Sequence, residues 1–127
     1  MQKALPVVVA VAVTFATVFD CAAATGKESL RPGMTISAVR ALLLQDGWTA
    51  VRIDKKLAGN RENLFGDARL LFQAGFFEVE SCTGIGQNYC FFNYQKNGEC
   101  LRLITSGEYF SASDEPKLDK WTNECPE

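Results

Sequence analysis

Residues 89–106 read YCFFNYQKNGECLRLITS, and this stretch decides the fold because two strand-like runs flank the dipeptide Asn97-Gly98. A two-residue hairpin turn of type I′ needs positive φ at both central positions, and Asn-Gly is a preferred sequence for it. We therefore predict a β-hairpin whose register is set by that turn. Counting outward gives these pairs: Gln95 with Cys100, Tyr94 with Leu101, Phe92 with Leu103, Phe91 with Ile104 and Cys90 with Thr105.

Side chains alternate between the two faces of a strand, so this register divides the hairpin into two faces. One, the core face, is mostly apolar: Cys90, Phe92, Tyr94, Leu101, Leu103 and Thr105. The other, the outer face, is mixed: Phe91, Asn93, Gln95, Cys100, Arg102 and Ile104. We expect the core face to pack in the interior of the protein.

The register also limits the disulfide pairing. Cys90 and Cys100 point to opposite faces and lie roughly 17 Å apart along the hairpin at about 3.3 Å per residue. Bridged Cα atoms approach within about 7 Å, so these two cysteines cannot be partners. Of the remaining pairings, we favour Cys82 with Cys90 plus Cys100 with Cys125, because a seven-residue loop with two glycines separates the first two.

The N-terminus has the three parts of a secretory signal peptide: a short basic leader, an apolar run over residues 4–19, and small residues ending at Ala24. The run is shorter than the roughly 20 residues of a spanning helix. We predict cleavage after Ala24, so that residues 1–24 are a signal peptide and residues 25–127 a single domain. An uncleaved anchor and lipidation of Cys21 are the alternatives. The predicted location is periplasmic or secreted.

Cleavage would also make the cysteine count even. The chain has five cysteines, and loss of Cys21 leaves four, which indicates two disulfides in an oxidising compartment. Lys3 and Asp20 would leave with the signal, so 13 Lys+Arg and 15 Asp+Glu become 12 and 14, and the net charge stays at −2. With a net charge this small, we expect no nucleic-acid partner. Because the apolar run would leave with the signal peptide, we also expect no stable membrane span after cleavage.

Two segments have the apolar periodicity of helices that pack on one core. Thr35 is the predicted N-cap of the first and Gly47 its stop, with an apolar stripe of Ile36, Val39, Leu42 and Leu43. The second is predicted within residues 61–74, with a stripe of Leu64, Phe65, Ala68, Leu71 and Phe72.

Further extended segments are predicted at residues 48–53, 76–81 and 118–125. The predicted fold is α+β: two helices on one face of a small antiparallel sheet of three to four strands, with the hairpin central and two disulfides.

Residues 30–43, LRPGMTISAVRALL, resemble the first helix of the SmpA/OmlA (BamE) lipoproteins of outer-membrane assembly and of the repeats in β-lactamase-inhibitor protein. This resemblance implies an α+β domain with two helices on one face of an antiparallel sheet, used for protein contact and not for catalysis. The pattern E-x-C-x-G-x-G-x-x-x-C, here from Glu80 to Cys90, is similar to a loop of many small exported bacterial proteins.

The favoured pairing has a consequence for the last strand. If Cys125 bonds Cys100, alternation along residues 118–125 places Trp121 on the outer face with it. An apolar cluster is then expected on this face, formed by Phe91, Ile104 and Trp121. Arg102 and Asn93 would lie beside it. Such a cluster is either covered by a helix or loop, or is a partner site.

The residue types that carry catalysis are sparse. The chain has no histidine, and its cysteine spacing does not fit the usual zinc sites, so we predict no metal, no cofactor and no enzymatic activity. Glu78 and Glu80 are expected to project from the same side of an extended segment. They are the carboxylate pair that a less favoured hydrolase function would use.

The leading prediction is an exported, non-catalytic protein-binding module of the inhibitor, immunity or envelope-adaptor type. Its partner would be another protein in the cell envelope or outside the cell. A loop closed by Cys82 and Cys90 loses little conformational entropy on docking. The predicted contact residues are Ile85, Gln87, Asn88 and Tyr89 in that loop, and Phe91, Arg102, Ile104 and Trp121 on the sheet. The alternative is a module that binds a small ligand or the cell wall.

Overall fold

A computed structural model of the chain describes residues 2–18, 26–52 and 64–126. Residues 2–18 are exposed and form neither helix nor strand. Within the three described ranges, no helix combines the length and hydrophobicity needed to cross a membrane. The predicted cleavage site at Ala24 and the alternative lipidation site at Cys21 lie outside the described residues.

The described chain forms two α-helices and a five-stranded antiparallel sheet, so the predicted α+β fold is confirmed with more strands than the three to four expected. In chain order, the elements are a short 3-10 helix (Gly26–Ser29), α1 (Ile36–Gln45), β1 (Thr49–Ala50), α2 (Gly66–Gln73), β2 (Val79–Cys82), β3 (Cys90–Lys96), β4 (Glu99–Ser106) and β5 (Lys117–Thr122). The strand order is β1-β3-β4-β5, and β2 also pairs with β3. β1 and β2 pair with opposite ends of β3, through Gln95 and Cys90 respectively.

The hairpin of β3 and β4 has the register that its turn predicts, from Lys96 opposite Glu99 to Cys90 opposite Thr105. Asn97 and Gly98 both have positive φ, 50° and 78°, as a type I′ turn requires. All six residues of the core face are fully buried, whereas the outer face ranges from buried to exposed. Both predicted faces are therefore confirmed.

Both predicted disulfides are present. Cys82 pairs with Cys90 across β2 and β3 at a Cα–Cα distance of 4.0 Å. Cys100 on β4 pairs with Cys125, which lies beyond the end of β5, at 5.1 Å. The first bond closes the loop of residues 83–89, which we call the cysteine loop.

α1 begins and ends where its sequence predicts. The Thr35 hydroxyl accepts a hydrogen bond from Ala38 N, and Gly47 has a φ of 86° just after the helix. A second cap comes from a distant loop, because Glu115 accepts from both the backbone N and the hydroxyl of Ser37, at 2.9 and 2.7 Å. A carboxylate at this end of the helix complements its dipole.

α2 is shorter than predicted. It begins at Gly66, and residues 61–63 of the predicted helix lie outside the described residues. Phe65 has extended backbone angles (φ −135°, ψ 167°), so its side chain does not follow the helical stripe. The placement of Phe65 in the core stripe was therefore wrong, because the residue is 80% exposed.

One core joins both helices to the core face of the sheet. The helices contribute Ile36, Val39, Leu43, Ala68, Leu71 and Phe72, and Leu30, Trp48, Phe76, Val79 and Leu118 complete the cluster around the hairpin.

Two predicted strands are shortened at their ends. β1 stops at Ala50, although Val51 N still donates to Asn93 O at 2.9 Å, and position 53 of the predicted segment lies outside the described residues. β5 stops at Thr122, before Cys125.

Candidate functional site

Asp67 in the first turn of α2 connects two loops at one end of the sheet. Its Oδ2 accepts hydrogen bonds from Asn88 Nδ2 at 2.6 Å and from Tyr109 N at 2.9 Å. The loops also bond each other, because Gly107 N donates to Gln87 O at 2.9 Å and Asn88 Nδ2 reaches Gly107 O at 3.3 Å. The Asp67 carboxylate thus binds the start of α2 to the cysteine loop and to the segment after β4, and these two loops also bond each other directly.

The cysteine loop has a defined internal geometry above its disulfide. Thr83 N donates to Tyr89 O at 2.8 Å, and Tyr89 N donates back to the Thr83 hydroxyl at 3.0 Å. Asn88 adopts a left-handed φ of 48°, and its Oδ1 accepts from Gly84 N at 2.9 Å. Because its backbone groups are bonded within the loop and to its neighbours, the loop presents its remaining side chains from a fixed backbone.

Each of the three segments that meet at Asp67 carries an exposed apolar side chain. Phe65, Ile85 and Phe110 are 80%, 80% and 70% exposed, which makes them the most exposed large apolar residues in the described chain from Gly26 onward. Each lies within three residues of a group in the Asp67 network. We call these three residues the apolar loop surface.

A groove of about 410 Å³ lies between the cysteine loop and the segment of residues 106–117. Gln87 and Phe110 line it together with the charged residues Glu108, Asp114, Glu115 and Lys117. Glu115 already caps α1, but Glu108 and Asp114 are exposed. Phe110 of the apolar loop surface therefore lines a polar groove with more acidic than basic side chains.

The contact residues predicted in the cysteine loop fall into two groups. Ile85 and Gln87 are exposed and Tyr89 is half-buried. Asn88, in contrast, is only 3% exposed, and its side chain is fully engaged with Gly84, Asp67 and Gly107. The buried Asn88 side chain therefore shapes the loop, and its role as a contact residue stays a prediction.

The predicted position of Trp121 was wrong. Trp121 pairs with Leu103 and packs against the core, so it lies on the core face and not beside Phe91 and Ile104. β5 ends at Thr122, so period-two alternation cannot be extended back from Cys125. A register shift where β5 pairs with Ile104 and Thr105 changes the alternation again.

On the outer face, Arg102 packs on Phe91 and pairs with two carboxylates. Its guanidinium lies 4.7 Å from the centre of the Phe91 ring and pairs with Glu80 at 2.9 Å and Glu124 at 3.6 Å. Ile104 is only 9% exposed. The outer face thus offers less apolar area than predicted, and this favours the loops as the candidate site.

Glu78 and Glu80 do not share a side of the sheet, so that prediction was wrong. Glu78 lies in the turn before β2, fully buried on the core face, where it accepts from Tyr94 Oη at 2.5 Å and Arg40 Nε at 2.7 Å. Glu80 follows the start of β2, at a register shift in its pairing with β3, and binds groups of the outer face. Burial and the Glu78 carboxylate raise the pKa of Tyr94 well above its ordinary value.

Sequence patterns did not identify Asp67 as the residue that connects the loops, because both of its partners are distant in the chain. Phe110 did carry a signal, since it is an aromatic residue in an otherwise polar loop. Within residues 2–18, 26–52 and 64–126, no three His, Cys, Asp or Glu side chains come together in a way that could hold a metal ion.

Comparisons with known proteins give no match: no family model, no curated protein and no solved structure is similar to the chain. The likeness of residues 30–43 to the SmpA/OmlA lipoproteins and to β-lactamase-inhibitor protein stays a prediction.

Proposed function

We propose that this protein is an exported, non-catalytic protein-binding module that contacts its partner through the apolar loop surface. The observation that carries the proposal is the 70–80% exposure of Phe65, Ile85 and Phe110 on three segments joined by Asp67. Large apolar side chains exposed on rigid loops are typical anchors of protein interfaces, where a few buried residues supply most of the binding energy.

Rigidity of the loops supports binding without a large entropic cost. A flexible loop loses conformational freedom when it docks, and that loss reduces affinity. Here the disulfide between Cys82 and Cys90 and the hydrogen bonds of Asn88 restrict the loop before binding. The backbone that carries Ile85 is thus restricted in the free protein, and Phe110 is held in its own loop by a hydrogen bond from its N to Asp114 O.

The polar groove beside the anchors indicates the chemistry of the partner. Glu108 and Asp114 are exposed along it, and Lys117 is the only base among its lining residues. We expect a partner surface with an apolar patch flanked by lysine or arginine. Such charge complementarity affects the association rate and specificity more than the final affinity.

Two observations support a role outside the cell interior and without catalysis. Two disulfides in a chain of this size are typical of oxidising compartments. Glu78 Oε1 accepts from Tyr94 and Arg40 on the core face, and Glu80 accepts from Asn93 and Arg102 of the outer face. The two carboxylates therefore do not face one substrate as an acid–base pair.

The test is quantitative affinity capture from envelope extract of the native host, with the protein expressed from its full sequence and purified after export. Ile85→Asp and Phe110→Asp should each reduce the captured partner by at least about tenfold, since a charge would be placed in an apolar contact. Leu44→Asp is the matched control, because Leu44 is also an exposed apolar residue but lies on α1. A partner lost equally from all three variants, or from none, would refute the proposed surface.

A further inference from the structure

A second concave site lies at the opposite end of the hairpin from the cysteine loop. It encloses about 510 Å³ and is formed by the 3-10 helix, the end of α1, the β3–β4 turn and β5. The lining residues are Lys27, Glu28, Asp46, Trp48, Lys96, Asn97, Glu99 and Trp121. We call it the two-tryptophan cleft. Its size is within the range of small-ligand sites.

Both tryptophans of the chain line this cleft. Trp48 is only 4% exposed and is anchored in the core. Trp121 is half-buried on β5, packs against the same core and is the more exposed of the two. The cleft therefore has aromatic walls held by core packing.

The rim is polar, and four of its five charged side chains form two ion pairs, whereas Glu28 is exposed. Lys96 Nζ lies 3.3 Å from Asp46 Oδ2 and also donates to Asp46 O. Lys27 Nζ lies 2.7 Å from Glu99 Oε1 and 3.2 Å from Asn123 Oδ1. These pairs tie separate elements together across the cleft. The two ion pairs also provide hydrogen-bonding groups on the rim, and their opposite charges largely cancel.

We propose that the two-tryptophan cleft is a binding site for a neutral saccharide. A pyranose ring has an apolar face of C–H groups that packs on an indole ring and a periphery of hydroxyl groups that need hydrogen-bond partners. Trp121 supplies the first kind of contact, and the rim of lysine and carboxylate groups supplies the second. An anion would meet lysines that are already paired and the Glu28 carboxylate, and a fully apolar ligand would desolvate the rim charges without compensation.

This site is independent of the proposed protein contact. The cysteine loop adjoins Cys90 at the start of β3, whereas Lys96 at the end of β3 lines the cleft. At about 3.3 Å per residue, these ends are roughly 20 Å apart. Failure of one site in its test would therefore leave the other standing.

The experiment titrates the exported full-sequence protein with chitotetraose and with cellotetraose, which differ in their acetamido groups. Because both tryptophans line the cleft, binding should produce a saturable blue shift of the tryptophan emission. Isothermal titration calorimetry gives the affinity independently of fluorescence. Trp121→Ala should weaken binding by at least about tenfold, and Trp121→Phe should retain most of it, because stacking needs an aromatic face.

Lys27→Ala tests the rim without removing a core side chain and should weaken binding about threefold or more if its ammonium group binds a hydroxyl. Far-UV circular dichroism and the melting temperature establish that each variant is folded. The proposal is overturned if neither oligosaccharide gives a saturable signal up to about 10 mM. It is also overturned if folded Trp121→Ala and Lys27→Ala variants bind as tightly as the original protein.

Discussion

Asn88 Nδ2 donates a 2.6 Å hydrogen bond to Asp67 Oδ2, so the start of α2 is bound directly to the disulfide-closed cysteine loop. The same carboxylate oxygen accepts from Tyr109 N, which extends the connection to the loop after β4. This side chain joins α2 to two loops that also bond each other directly, and each of the three segments exposes a large apolar residue. The proposed contact surface depends on this carboxylate.

Asp67→Asn should destabilise the fold, because a charge-assisted acceptor shared by two donors is replaced by a neutral amide. Hydrogen bonds to charged groups contribute about 1.5–3 kcal/mol, so we expect a loss of about 2 kcal/mol in the free energy of unfolding. Urea denaturation measures it. Asp119→Asn, at an exposed position on β5, is the control and should change stability by less than about 0.5 kcal/mol. Equal stability of the two variants would contradict the role given to Asp67.

Tyr94→Phe should destabilise the protein at neutral pH. Tyr94 and Glu78 are both fully buried, and loss of the hydroxyl would remove one of the two hydrogen bonds that Glu78 Oε1 accepts, leaving the one from Arg40. The expected cost at pH 7 is about 1–3 kcal/mol, as for other buried polar groups that lose a hydrogen bond. Urea denaturation of both proteins provides the comparison.

The difference in the free energy of unfolding between the original protein and Tyr94→Phe should also depend on pH in a defined direction. The pKa of Tyr94 is raised in the folded protein above its ordinary value of 10.0, first by burial and then by the Glu78 carboxylate. The folded state therefore keeps the phenol proton at a pH where the unfolded chain releases it. The stability of the original protein relative to Tyr94→Phe is fully present below about pH 10 and declines as the pH rises toward the folded pKa. If the stability advantage of the original protein instead grew above pH 10, the raised pKa of Tyr94 would be contradicted.

The two disulfides should contribute unequally to stability. The cysteines of the first pair are 8 residues apart and those of the second are 25 residues apart. Loop-closure entropy predicts losses of about 2.5 kcal/mol for Cys82→Ala with Cys90→Ala and about 3.5 kcal/mol for Cys100→Ala with Cys125→Ala. Thermal and urea denaturation of both double variants measures the order, and the reverse order would contradict this entropic explanation.

The sequence allowed accurate prediction where one local signal determines a long stretch of geometry. Asn97-Gly98 fixes the turn, the turn fixes the register of β3 and β4, and the register excludes a bond between Cys90 and Cys100. The ends of α1 were predictable for a similar reason, since Thr35 and Gly47 are local capping signals.

Prediction failed where a pattern was extended past an irregularity. Trp121 was assigned from Cys125 by alternation, but β5 ends at Thr122, between the two residues. Phe65 was assigned by helical periodicity, but the helix begins one residue later. Asp67 illustrates a third difficulty, because its partners are 21 and 42 residues away and such contacts depend on the whole fold.

The most direct test of the central claim is site-specific photocrosslinking in the native host. A photoreactive phenylalanine analogue replaces Ile85 in one strain and Leu44 in another, two exposed apolar positions on different elements. We expect a discrete adduct with one envelope or extracellular protein from position 85 and none from position 44. Adducts from position 44 alone, or none from position 85 in folded, exported protein, would contradict the account of the cysteine loop as a protein-binding surface.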